Sequence, residues 1–356
     1  MGLSLTKKLL LSILIVMFLV MYLLLLKNEN ENPTPLMKSK TAYKYFWFAG
    51  MSEDPEFSGL YYSTYAPALL SWKKHASHIF QPVLLLSRYG LPDNKNLSKF
   101  GQWAEKQGAI VLNIQDFQYE DEILPAWSTQ SPARLQGIFM RWQIPRIMKE
   151  FLSMTTSEIS RDIVLYTDAD VLFASPLKDS DVQEILLKFN ANDVSVLYST
   201  QFLKVGAPLN TGVIFMHVSR FEKILPEVLK FGSEHSYRFD GAFDQGWLNS
   251  FFESNKDRLQ KRGFLNIHWN WKIYWGSDKR KPLLVHFHGP KPGRYAECLA
   301  SQKIACMKDI PRKWRRFLPL LLLGFRADKG LYAKQTLKFF QKLTLKFKKD
   351  FEQTLP

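Results

Sequence analysis

Hydrophobic and polar positions along this chain fall into distinct regimes. The first is an apolar stretch from Leu9 to Leu26, broken only by Ser12. At about 1.5 Å per residue, a helix of that stretch just reaches across a hydrocarbon layer of roughly 30 Å. Backbone groups in lipid must pair within their own segment, which favours a helix there. The stretch is longer than the apolar core of a secretory leader, and Lys27-Asn28-Glu29 offers no small-residue cleavage site. The pattern therefore predicts a membrane anchor over 9–26. Lys7 and Lys8 precede it, so the positive-inside bias puts residues 1–8 in the cytosol and the remainder across the membrane. Residues 27–40, rich in Asn, Glu, Pro and Lys, read as a stem.

From about Thr41 the pattern changes to short apolar runs that alternate with segments of helical period, predicting a catalytic-sized domain over 41–311. Strands are predicted at Tyr45 to Phe48, Pro82 to Leu86, Ala109 to Ile114, Asp162 to Thr167, Val194 to Tyr198 and Val213 to His217. Helices are predicted at Asn96 to Gln107 and Arg141 to Phe151. Alternation of this kind argues for an α/β domain with a mainly parallel sheet flanked by helices. In residues 312–356 the character turns basic and amphipathic. Leu331 to Phe351 sets Leu337, Phe340, Leu343 and Phe347 on one side of a helix and lysines elsewhere. Such a helix either lies on a membrane surface or packs its apolar side back on the domain.

The net charge of +15 changes this picture less than its size suggests. Residues 311–356 carry +9 and residues 1–40 carry +3, which leaves +3 for residues 41–310. The middle of the chain has no basic face to follow a phosphate backbone, so nucleic acid is not an expected partner. Cys298 and Cys306 are the only cysteines, too few for a structural zinc site. In an oxidising lumen they could close a short disulfide loop.

Candidate chemistry concentrates where apolar strands end. Ile163 to Thr167 runs into Asp168-Ala169-Asp170, delivering two carboxylates to the mouth of a strand, where open α/β sheets bind ligands. Two carboxylates one residue apart suit a divalent cation that also takes phosphate oxygens; a turn in which Asp caps the next helix is the alternative. Leu209-Asn210-Thr211-Gly212 reads as a polar turn feeding the strand from Val213. His286-Phe287-His288-Gly289-Pro290-Lys291 combines an imidazole for a metal, a glycine for close approach and a lysine for phosphate. His268 to Gly276 is dense in aromatics, suited either to stacking on acceptor sugars or to an ordinary core.

Together these segments resemble glycosyltransferase family 8, the retaining enzymes that include glycogenin and bacterial lipopolysaccharide galactosyltransferases. The likeness runs from about Tyr43 to Arg294. It implies a GT-A fold, a UDP-sugar donor and Mn²⁺, with a glycan, protein or lipid acceptor. By resemblance Asp168 and Asp170 bridge the metal to the diphosphate, His286 is the third protein ligand with His288 as its alternative, and Lys291 and Gly289 meet the diphosphate. Asn210, Thr211 and Gly212 match the family's donor-sugar turn. Asp244 and Gln245 match its Asp-Gln element at the sugar and anomeric carbon, and Arg141 matches the arginine before the metal strand. The family and the anchor together imply a type II protein of the Golgi or ER membrane with a lumenal catalytic domain. Two other readings remain at this point. One is a silent nucleotide-sugar-binding protein. The other is a haloacid-dehalogenase-like phosphatase, in which Asp168 would be the nucleophile and Asp240 and Asp244 would mimic a second acidic motif.

Overall fold

The computed structural model describes residues 44–53, 55–87, 98–114, 123, 132–150, 159–201, 208–237, 239, 244–272, 275, 281–287 and 329–352. The expected anchor and stem, His288 to Lys291, and both cysteines lie outside these residues. Among the described residues no helix is long and apolar enough to cross a membrane.

Each predicted strand is present, and most run longer than their apolar runs. They are β1 (Lys44–Ser52), β2 (Phe80–Ser87), β3 (Ile110–Ile114), β4 (Ile159–Thr167), β6 (Val196–Thr200) and β7 (Leu209–His217). With β8 (Arg262–Phe264) they form a seven-stranded sheet in the order β3-β2-β1-β4-β7-β6-β8. The neighbours are parallel except for β7, which runs antiparallel to both β4 and β6. A second sheet of three short strands joins β5 (Val171–Phe173), β10 (Leu284–His286) and β9 (Trp271–Lys272) in that order.

The large sheet is buried on both faces, so its strands read as continuous apolar runs. Successive side chains alternate between the two faces. In β1, Tyr45, Trp47, Ala49 and Met51 enter one core, and Phe46 and Phe48 enter the other. The first core is covered by α1 (Pro55–His75), α2 (Lys99–Lys106) and α5 (Asp179–Ala191). The second is covered by α3 (Pro132–Phe139), α4 (Ile144–Glu150), α6 (Val218–Glu234) and α7 (Asp244–Glu253). In α2 the Ser98 hydroxyl accepts from the Gly101 amide at 3.0 Å, a side-chain N-cap that fixes where the helix starts. The helix expected from Arg141 begins as a 3₁₀ turn over Met140–Gln143, ahead of α4, with Pro145 in the first turn where its missing N–H costs least.

One expectation is corrected, and two open alternatives are decided for particular residues. Asn210 to Gly212 is strand, not turn: β7 starts at Leu209 because that residue pairs with Thr200 of β6. The Asn210 side chain is satisfied by partners from other elements, described below. Trp269 and Trp271 are core residues, 1% and 3% exposed, and Trp269 meets Phe215 edge-on at 4.9 Å, so neither offers a free face to an acceptor sugar. The basic C-terminal segment forms α9 (Lys329–Glu352), which follows the short α8 (Lys256–Gln260) among the described helices and packs on the domain. Phe340, Leu343 and Phe347 join the first core, with Phe347 edge-on to Trp103 at 4.8 Å. These three apolar side chains are thus occupied within the chain.

Candidate functional site

The end of β4 is where the two sheets meet. The chain leaves the large sheet at Thr167, turns through Asp168, Ala169 and Asp170, and enters the small sheet as β5. Two ladders then bring distant segments to this turn. On one side the β4–β7 pairing extends to a hydrogen bond from the Asp168 amide to the Gly212 carbonyl (2.9 Å). On the other, β10 pairs antiparallel with β5, placing His286 opposite Val171, and the Phe287 amide donates to the Asp170 carbonyl (3.0 Å).

As a result His286 Nε2 stands 3.5 Å from Asp170 Oδ1 and 3.8 Å from Asp168 Oδ2. One ligand atom from each of the three residues lies within 4.8 Å of the others. A single cation with bonds of about 2.0 to 2.6 Å to nitrogen and oxygen spans such a set. Two carboxylates and one imidazole suit a divalent cation. Asp170 and His286 side chains are nearly closed off, whereas that of Asp168 is 35% exposed and opens the group to solvent.

Gly212 makes this convergence possible. A Cβ there would lie 2.2 Å from His286 Cε1 and 2.8 Å from Asp168 Oδ2. The residue expected to touch a donor sugar is thus needed to leave room for two of the three cation-facing groups. Gly212→Ala should weaken divalent-cation binding at least about tenfold, as misplacing the support of a ligand does. It should also cost about 1–3 kcal/mol from overpacking. Mn²⁺ titration and thermal unfolding check both, and a variant unchanged in both would contradict the close packing.

Behind the carboxylates lies Arg141, buried in its 3₁₀ turn. Its Nη2 pairs with Asp168 Oδ1 at 3.0 Å, and its Nη1 donates to the Thr211 carbonyl. Its Nε donates to the Ile138 carbonyl at 3.2 Å and sits 3.1 Å from Asp244 Oδ2, a charge contact without hydrogen-bond alignment. The guanidinium also stacks 4.5 Å from the Tyr166 ring centroid. Burial disfavours its charge, but Asp244, Tyr166 and Asp168 outweigh that and hold its pKa above the ordinary value. For Asp244 the balance goes the other way. Burial raises it to about 6, against the lowering effect of Arg141 and with a further rise from Asp168. Arg141 therefore contacts the acidic residues and a backbone carbonyl of the site.

A second network ties β7 to α7 and to the small sheet. Asn249 of α7 brackets Leu209, accepting from its amide (3.0 Å) and donating to its carbonyl (2.9 Å). Asn210 donates to Gln245 Oε1 at 2.8 Å and to Gln201 Oε1 at 3.0 Å. Its own Oδ1 accepts from Asn270 Nδ2 at 2.9 Å and from Lys272 Nζ at 2.6 Å. Lys272 is fully buried and also meets Asn270 Oδ1 (2.6 Å) and His286 Nδ1 (2.8 Å). Burial lowers the Lys272 pKa well below its ordinary value, opposed by Asp168 and Asp170. Burial first, then Lys272, hold His286 below its ordinary value, in the neutral form that ligates metals, with Asp170 and Asp168 opposing.

The structure thus gathers Asp168, Asp170, His286, Gly212, Asn210, Thr211, Arg141, Asp244 and Gln245 into one continuous site. Lys272 and Asn270 belong to it and were not singled out from sequence. The available signal was the alternation of Trp269 and Trp271 with Asn270 and Lys272, which puts the two polar residues on a common side.

No protein-family model matches the chain, and no curated protein does. Among solved structures, it is similar to the glycosyltransferase GlyE of Streptococcus pneumoniae TIGR4. The apo form and a second structure of GlyE each give 15% sequence identity and a TM-score of 0.46, covering 83% and 85% of this chain. The chain spans 63% and 64% of those GlyE chains. Mouse xyloside xylosyltransferase 1, apo form, is similar over 69% of this chain and 97% of its own, with 12% identity and a TM-score of 0.44.

Proposed function

We propose that this protein is a glycosyltransferase of GT-A organisation, similar to family 8. In this reading it moves a sugar from a UDP-sugar to a glycan, protein or lipid acceptor with retention of configuration. The observation that carries the proposal is the meeting of Asp168 and Asp170, at the end of a buried strand, with His286 from a separate sheet. The donor set fits a divalent cation, and Gly212 leaves the space the three groups need.

When bound, that cation supplies Lewis-acid stabilisation of the negative charge that builds on the diphosphate as its bond to the sugar breaks. The chain's own residues do the rest. Asp168, Asp170 and neutral His286 supply the ligands. Arg141 holds Asp168 from behind and neutralises Asp244. Asn210 fixes the Gln245 amide at the N-terminus of α7, where the resemblance puts the donor sugar. Lys291 and Gly289, outside the described residues, are the proposed diphosphate contacts. The Leu9–Leu26 run is the proposed anchor of a type II Golgi or ER protein with its catalytic domain in the lumen. No observation favours the phosphatase reading.

The test uses the detergent-solubilised full chain, a panel of UDP-sugars and Mn²⁺. One donor should be hydrolysed slowly, with the activity lost in EDTA. Cleavage of none, together with no binding of UDP, would refute the reading.

A further inference from the structure

Lys272 is an unusual residue for a core: a lysine with no exposed surface, on a two-residue strand. Its position follows from pairing, because β9 lies parallel to β10 with Lys272 in register with His286. Three groups surround its nitrogen: Oδ1 of Asn210 (2.6 Å), Oδ1 of Asn270 (2.6 Å) and Nδ1 of His286 (2.8 Å).

Hydrogen-bond chemistry then settles several orientations at once. Amide oxygens only accept, so the lysine donates to both asparagines. Asn270 is fixed with its carbonyl toward Lys272 and its amide nitrogen toward Asn210 Oδ1. The Asn210 carbonyl, already facing Lys272 and Asn270, turns its own Nδ2 toward Gln245 Oε1. Gln245 therefore keeps its oxygen on Asn210. His286 Nδ1 faces Lys272 and also lies 3.1 Å from Asn270 Oδ1, which leaves Nε2 as the nitrogen directed at Asp168 and Asp170; a neutral ring that ligates through Nε2 carries its proton on Nδ1 and donates it to Asn270 Oδ1. One side chain sets the ring orientation of the candidate metal ligand and, through Asn210, the amide orientation at the sugar end of the site.

The geometry points to Lys272 as a positioning residue that aims His286 Nε2 at the cation site and fixes the Asn210–Gln245 pair. This rests on the metal reading above and adds to it a residue outside the ligand set.

The test is a double-mutant cycle on Mn²⁺ affinity, read by electron paramagnetic resonance of the full chain with Mn²⁺ alone. Wild type, Lys272→Met, His286→Ala and the double variant are compared. If the lysine acted only as a nearby positive charge, its removal would tighten Mn²⁺ binding. If it positions the ring, Lys272→Met weakens binding by about 10- to 100-fold, the usual effect of losing a ligand's outer support. In the His286→Ala background the same substitution then has little further effect, because contacting residues that share a role are not additive. Unchanged or tighter binding by folded Lys272→Met, or equal weakening in both backgrounds, overturns the inference. Should Lys272→Met not fold, Asn270→Ser removes the carbonyl that Lys272 and His286 Nδ1 share (3.1 Å to the latter). It is expected to weaken Mn²⁺ binding, and unchanged affinity overturns the inference. A wild type that binds no Mn²⁺ refutes the metal reading itself, a result distinct from either.

Discussion

Asp170→Asn should lower Mn²⁺-dependent donor cleavage by about 10³-fold, the order seen when a group that stabilises developing charge is removed. Asp170 is the more consequential of the two carboxylates because of its surroundings. Its side chain is 5% exposed and its Oδ1 lies 3.5 Å from His286 Nε2. Asp168 is more open, and one of its oxygens is already engaged by Arg141 at 3.0 Å. With Asp170 neutralised, the only carboxylate left in the ligand group is shared with a guanidinium. Asparagine keeps the shape, so the metal-free variant should melt no lower than wild type; removing one of two neighbouring negative charges relieves repulsion. Substantial Mn²⁺-dependent cleavage by this variant would contradict the assigned ligand role.

Arg141→Met should be the most destabilising single change in the site, by about 3–5 kcal/mol, because it strands a buried partner charge. That estimate rests on the Asp244 contact, where both side chains are 5% exposed or less. The more exposed Asp168 adds little. The effect should depend on pH in a stated direction. Burial raises the Asp244 pKa to about 6, so the stability this group contributes is fully present below its unfolded value of about 4 and is lost as pH rises through 6. Without Arg141, the Coulombic influence that lowers this pKa is gone and it rises further. The deficit of Arg141→Met should accordingly be larger at pH 8 than at pH 5, where Asp244 takes up a proton. Chemical denaturation of the metal-free proteins at the two pH values measures it, and equal deficits would show that Asp244 is not the stranded charge.

Much of the frame was legible in the order of residues. Strands buried on both faces have to be apolar throughout, so β1, β2, β4 and β7 stand out as runs, and Asp168 and Asp170 stand out because they break one. Pairing made the difference elsewhere. Asn210-Thr211-Gly212 has the composition of a turn, and only the partners that satisfy its polar groups allow it to be strand. Gly212 has the composition of a ligand contact, yet its role follows from a histidine 74 positions away in the chain whose ring stands where a Cβ would lie. A buried lysine cannot be told from a solvated one until its acceptors are known, and for Lys272 one of these, Asn210, is 62 residues distant. The period of α9 was visible, but what covers its apolar side depends on Trp103 and Phe100 of α2 being presented to it.

In the proposed function Asp168, Asp170 and His286 hold a cation that in turn holds a nucleotide diphosphate. Calorimetric titration of UDP into the full chain, with Mn²⁺ and with EDTA, tests it most directly when repeated on Asp168→Asn/Asp170→Asn. The expected result is that UDP binds wild type in Mn²⁺, weakly or not at all in EDTA, and that the double variant shows no difference between the two. UDP binding of equal strength in EDTA, or a Mn²⁺ dependence that survives in the double variant, would contradict it.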